Sequence, residues 1–95
     1  MQANLYATFR VIAKTKMVTL DLPTGSTVRQ AVEAILNQLP DLRPHWVNQA
    51  GEMYAHVHGF INGKDLSTFE HGWDTPVQPE DVLDFFPPVA GGRLV

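Results

Sequence analysis

The chain has 95 residues, 44% hydrophobic and 18% charged, with a formal net charge of −3. This balance fits one globular domain and excludes both a disordered polypeptide and a strongly basic nucleic-acid binder. No apolar run reaches membrane-spanning length and the opening MQANLYATFR lacks the layout of a signal peptide, so no membrane association and a cytoplasmic location are expected. Cysteine is absent, which removes disulfides, thiolate zinc sites and cysteine nucleophiles together.

Residues 4–13 alternate, with Leu5, Ala7, Phe9 and Val11 on one side and Tyr6, Thr8, Arg10 and Ile12 on the other. Period two predicts a strand with Leu5, Ala7 and Phe9 facing the core. Lys14-Thr15-Lys16 is short and polar, as a hairpin turn is. Residues 17–22 alternate again, with Val18, Leu20 and Leu22 inward, and Pro23 ends that strand because it has no N–H to donate.

After the loop Thr24-Gly25-Ser26, Thr27 is a good helix N-cap with Gln30 three residues on, the spacing of a capping box. Val28, Ala31, Val32, Ile35, Leu36 and Leu39 follow at helical spacing, and Pro40 stops the element. The spacing predicts a helix over 28–38. Leu42, Trp46 and Val47 are placed over one end of the core, and Asn48-Gln49-Ala50-Gly51 reads as a turn.

Residues 53–61 predict a third strand, with His56 and His58 on one face and Ala55, Val57 and Gly59 on the other. Asn62-Gly63 is a two-residue turn signal, since both accept positive φ cheaply. Residues 64–66 continue as a short extended piece, and His71-Gly72-Trp73-Asp74-Thr75-Pro76 is a loop. Pro79-Glu80-Asp81 turns into a last strand over 82–86, with Leu83 and Phe85 inward and Val82, Asp84 and Phe86 outward. The order implies an α+β fold: a mixed sheet of four to five strands, its first and last strands parallel at the centre, with one main helix on one face. The other face is left with Tyr6, Thr8, Arg10, His56, His58, Asp84 and Phe86.

The chain then reads Phe86-Pro87-Pro88-Val89-Ala90-Gly91-Gly92-Arg93-Leu94-Val95. Pro87 and Pro88 have fixed φ and no N–H, so they hold the chain extended. Gly91 and Gly92 have no Cβ, so a partner can close tightly around them. Such an end fits insertion into another protein; a frayed terminus carrying glycine is the other reading.

With the elements in place, the sequence resembles the MoaD/ThiS family of ubiquitin-like, β-grasp sulfur carriers over nearly its whole length. The resemblance is carried by Thr27-Val28, Phe60-Ile61-Asn62-Gly63, Thr75-Pro76-Val77, Pro79-Glu80-Asp81-Val82 and, most specifically, Phe86 to Gly92. It implies a single β-grasp domain over 1–95 with a flexible tail from about residue 87. It also implies that Gly92 is the working residue. An E1-like adenylating enzyme, using MgATP, activates its carboxylate, and a sulfur donor then converts the adenylate to a thiocarboxylate. Gly91 and Gly92 thread the narrow channel to the nucleotide. The carrier holds no cofactor of its own and is a substrate or small subunit rather than an enzyme. Implied partners are the E1-like enzyme, a MoaE-like large subunit or another sulfur acceptor, and a JAMM-type metalloprotease. The protease follows from a departure: the family ends at the second glycine, whereas Gly92 here is followed by Arg93-Leu94-Val95 and carries a peptide bond. A ubiquitin-like modifier joined through Gly92 to lysines, and a binding module without tail chemistry, stay open beside the carrier.

Among other candidates, His56 and His58 sit at i and i+2 and point the same way on a strand. A metal needs a third ligand, and none of His45, His71, Asp65, Glu70 or Asp74 has motif spacing, so no metal site is assigned. Phe86, with Val82 beside it, Tyr6 near it and Pro87 following it, is the expected docking patch, since exposed aromatics are common interface anchors.

Overall fold

The computed structural model of the chain describes residues 1–87. Five strands form one mixed sheet in the order β2-β1-β5-β3-β4: β1 Gln2–Leu5, β2 Met17–Thr19, β3 His58–Ile61, β4 Lys64–Asp65 and β5 Val82–Phe86. At its centre β1 runs parallel to β5, with Ala3 opposite Leu83 and Leu5 opposite Phe85, while β3 flanks β5 antiparallel. The fold class expected from the sequence is the one found.

The helix α2, Val28–Gln38, has the expected boundaries and both halves of its capping box. Thr27 Oγ1 accepts from the Gln30 N–H at 3.3 Å, and Gln30 Oε1 accepts from the Thr27 N–H at 2.8 Å. Its buried face, Val28, Ala31, Val32, Ile35 and Leu36, joins the inward residues Ala3, Leu5, Ile61, Leu83 and Phe85 in one core. A short helix α3, Arg43–Trp46, closes the end of this core, with Leu42 and Trp46 fully buried. Trp46 contacts Phe9 edge-on at 5.3 Å between ring centroids and Phe85 at 4.8 Å.

Three expectations are corrected; the first is the second strand, expected over 17–22, which ends at Thr19. Residues 4–13 are not one strand: β1 ends at Leu5, and the helix α1, Ala7–Ala13, takes over. Its first residue, Ala7, has φ 51°, a left-handed conformation that lets the chain leave the sheet sharply. Ala7 and Val11 are therefore exposed, Val11 by 74%, while Phe9 stays buried. The third strand is likewise shorter than 53–61, because β5 offers partners only from His58 to Ile61. Pro87 has no N–H, so the ladder ends at the His58–Phe86 pair. Ala55, expected inward, is exposed; Val57 and Gly59 are buried as expected.

The turn at Asn62-Gly63 has φ 49° and 84°, as its sequence requires. The Asn62 side chain ties it to β5 by accepting from the Val82 N–H at 2.9 Å and donating to Asp81 at 2.9 Å. No helix among the described residues is long and apolar enough to cross a membrane.

Candidate functional site: the open sheet face at the root of the tail

Strand parity in β5 sends Leu83 and Phe85 into the core and leaves Val82, Asp84 and Phe86 half-buried on the face that α2 does not cover. The β1 and β3 registers put Asn4 and Phe60 on either side of Asp84, and His58 opposite Phe86. Tyr6, just past β1, lays its ring on that of Phe86 with centroids 4.2 Å apart and planes 8° from parallel. Phe60 meets Phe86 edge-on at 5.3 Å. These contacts form an aromatic platform at the end of the strand that runs into the tail.

A polar network fixes it. Asp84 Oδ1 accepts from Tyr6 Oη at 3.0 Å and from Asn4 Nδ2 at 2.9 Å. The Arg10 guanidinium carbon lies over the Tyr6 ring, 5.8 Å from its centroid, and its Nε donates to the Leu5 carbonyl at 3.3 Å. Burial raises the Tyr6 phenol above its ordinary pKa; the hydrogen bond to Asp84 and that carboxylate's charge raise it further, while Arg10 opposes them. Tyr6 is thus a neutral, doubly anchored ring under Phe86 at physiological pH.

Of the residues expected to act, Phe86 is at the centre of the platform. Tyr6 is near it as expected, but Val82 is not beside it: four residue steps along the strand put the two about 13 Å apart, with Asp84 between. Val82 instead sits at the Asn62-Gly63 end of β5. Pro87 is buried and still belongs to the body, lining an open groove with Phe9, Ile12, Pro44, Tyr54 and His56. Gly91 and Gly92, and the tail expected from about residue 87, lie outside the described residues beyond that point. Thr8 and Arg10 belong to α1 rather than to a strand, and His56 precedes β3. His56 stacks on Tyr54 at 5.1 Å, with its Nε2 3.3 Å from the His45 carbonyl. Among the described residues, no three His, Cys, Asp or Glu side chains gather as a metal site.

Phe60 and Asn4 were absent from the sequence reading of this face. Phe60 was accessible through its parity with His58; Asn4 depended on knowing the β1–β5 register.

Comparison with known proteins fits this architecture. A family model described as the ThiS family matches residues 4–92. Small archaeal modifier protein 1 of Haloferax volcanii is 29% identical over 92 residues, covering 97% of this chain and 100% of its own length. Small archaeal modifier protein 3 of the same organism is 26% identical over 92 residues, covering 97% of this chain and 98% of its own. The crystal structure of SAMP1 from Haloferax volcanii superposes with a TM-score of 0.86 at 27% identity, covering 96% of this chain and 97% of that one. With a family match that spans nearly all of the chain and runs through the second glycine, this protein belongs to the ThiS family of ubiquitin-like β-grasp proteins.

Proposed function

We propose that this protein is a carrier that works through Gly92, six residues beyond the last residue of β5, with the aromatic platform as its docking surface. The observation that carries this reading is the Phe86 to Gly92 motif at the end of the family match. Hydrolysis of the Gly92–Arg93 peptide bond, the task of a JAMM-type metalloprotease, frees the Gly92 carboxylate. A carboxylate is a poor electrophile at neutral pH. On an E1-like enzyme one of its oxygens attacks the α-phosphate of MgATP, pyrophosphate leaves, and the acyl-adenylate then has AMP as leaving group. Attack by sulfide-level sulfur (HS⁻) expels AMP and leaves a thiocarboxylate, which passes sulfur to an acceptor such as a MoaE-like subunit in pterin synthesis. The carrier supplies the docking surface and the tail, and the activating enzyme supplies the catalytic groups and the nucleotide.

A second use of the same adenylate is transfer of Gly92 to a lysine amine, with AMP leaving and an isopeptide bond forming. It is favoured by the two relatives described as modifier proteins. Isopeptide-linked conjugates in cells support it, and their complete absence removes it.

The deciding experiment is ATP–pyrophosphate exchange with the cognate E1-like enzyme, run on the 95-residue chain and on a form ending at Gly92. Three residues of extended chain add about 10 Å. A carboxylate placed beyond Gly92 overshoots a site built for the glycine, and the branched side chains of Leu94 and Val95 crowd its channel. Exchange by the Gly92 form alone is expected, followed with a sulfur donor by the mass gain of replacing one oxygen with sulfur. Equal exchange by both forms refutes the need for trimming. Exchange by neither favours a binding module without tail chemistry.

A further inference from the structure

We infer that Arg10 is the charged half of the docking platform and receives a carboxylate of the activating enzyme; this rests on the reading above that the face docks that enzyme. The described residues contain three arginines: Arg10, Arg29 and Arg43. Two are consumed within the chain, Arg29 by Asp74 at 2.8 Å and Arg43 by Glu33 at 3.0 Å. Arg10 is exposed and has no carboxylate within ion-pair distance among the described residues. It is nonetheless held in place. Its Nε donates to the Leu5 carbonyl, and its guanidinium carbon sits over the Tyr6 ring. That arrangement ties down the Nε side of the guanidinium, and the terminal Nη groups of this exposed residue donate no hydrogen bond among the described residues.

A guanidinium fixed at one edge loses little side-chain freedom when it binds, and its planar donors match a carboxylate. The surroundings select one carboxylate over a polyanion. Asp84 lies on the same face, and Asp65, paired with Phe60 across β3–β4, projects to that side as well. The chain as a whole carries −3. An extended polyanion such as a nucleic acid or a membrane of anionic lipid meets these acids along with Arg10, whereas a single Asp or Glu set beside an apolar contact on Phe86 and Phe60 reaches Arg10 without meeting them. Asp84 itself is committed inward, its Oδ1 taking both Tyr6 and Asn4, so it holds Tyr6 under the guanidinium rather than competing for it from outside.

The test is titration calorimetry of the purified E1-like enzyme against the 95-residue chain and the form ending at Gly92, each as wild type, Arg10→Glu, Arg10→Gln and Arg10→Lys, at low and high salt, with Phe86→Ala as a separate control. Arg10→Glu is expected to weaken binding at least about tenfold at low salt, through both a lost attraction and a new like-charge contact. Arg10→Lys, which keeps the charge without the fork, is expected to lie between wild type and Arg10→Gln. The loss in Arg10→Gln is expected to shrink at high salt, as an exposed ion pair does. Urea midpoints of the same variants separate folding from docking. Wild-type affinity in Arg10→Glu, or a loss in Arg10→Gln that salt leaves untouched, overturns the carboxylate partner while leaving the Gly92 reading standing. Binding by neither wild-type form overturns both.

Discussion

Gly59 offers a sharp test of how β3 is seated. It lies opposite Phe85 in the β3–β5 ladder, so any displacement there reaches the strand that carries Phe86. A Cβ built on Gly59 would fall 2.7 Å from Leu66 Cδ1 and 3.0 and 3.1 Å from two atoms of the Trp73 ring. Carbon atoms at rest sit about 3.5–4.0 Å apart, so Leu66 must retreat by roughly 1 Å and Trp73 by about half that. Leu66 has little room, being 3% exposed, while Trp73 is partly buried and lies parallel to Phe85 with planes 3° apart and centroids at 6.4 Å. Gly59→Ala is therefore expected to destabilise by about 1–3 kcal/mol, the usual cost of overpacking. At about 4–8 °C per kcal/mol for a domain of this size, the melting temperature should fall by roughly 5–20 °C. Thermal and urea unfolding followed by circular dichroism and tryptophan fluorescence measure it. The two positions should also be coupled: in a Leu66→Ala background, which vacates the clashing methyl, Gly59→Ala should cost at least about 0.5 kcal/mol less than alone. An unchanged midpoint for Gly59→Ala, or strict additivity with Leu66→Ala, would refute the reasoning.

Ile35→Ala, at a fully buried position of α2, should cost about 2–4 kcal/mol by leaving a cavity. Gln38→Ala, which loses only an exposed hydrogen bond to the Thr19 carbonyl, should stay within about 0.5 kcal/mol; equal shifts in urea midpoint would contradict the helix phase. Tyr6 should titrate above the ordinary tyrosine range in the folded protein, so its contribution to stability is complete below that range and is lost as pH rises through the folded pKa. In a Tyr54→Phe background, where Tyr6 is the sole tyrosine, ultraviolet titration should show Asp84→Asn lowering its midpoint; no movement would deny the Asp84 contact its role. Asp74 is held below the usual carboxylate range, first by the hydrogen bond from Arg29, with burial opposing and the charges of Arg29 and His71 assisting. A depressed carboxyl stabilises above its unfolded pKa and loses that contribution as pH falls through the folded value. Arg29→Gln should accordingly flatten the acid limb of urea midpoints measured against pH, by a small amount because the pair is exposed.

Local chemistry made much of this protein legible in its sequence. The capping pair Thr27 and Gln30 and the stop at Pro40 fix α2 with interactions inside one short segment. Asn62-Gly63 specifies its turn through the backbone angles that those two residues tolerate. The alternation through Val82, Leu83, Asp84, Phe85 and Phe86 has one consistent reading, so β5 and the outward direction of Phe86 were evident, as was the family motif that leads to Gly92. Residues 4–13 had no such internal arbiter. Positions four apart lie on one side of a strand and also on one side of a helix, so Leu5, Phe9 and Ala13 satisfy either period. The deciding residues are Ala7 and Val11, which a strand would bury and α1 exposes. That choice belongs to the tertiary structure, because β1 continues only as far as its pairing with β5, whose last ladder positions are taken up at Phe85 and Phe86. The platform was decided the same way. Asn4, Tyr6, Phe60 and Asp84 come from three separate stretches, and only the parallel β1–β5 register and the antiparallel β3–β5 register bring them around Phe86.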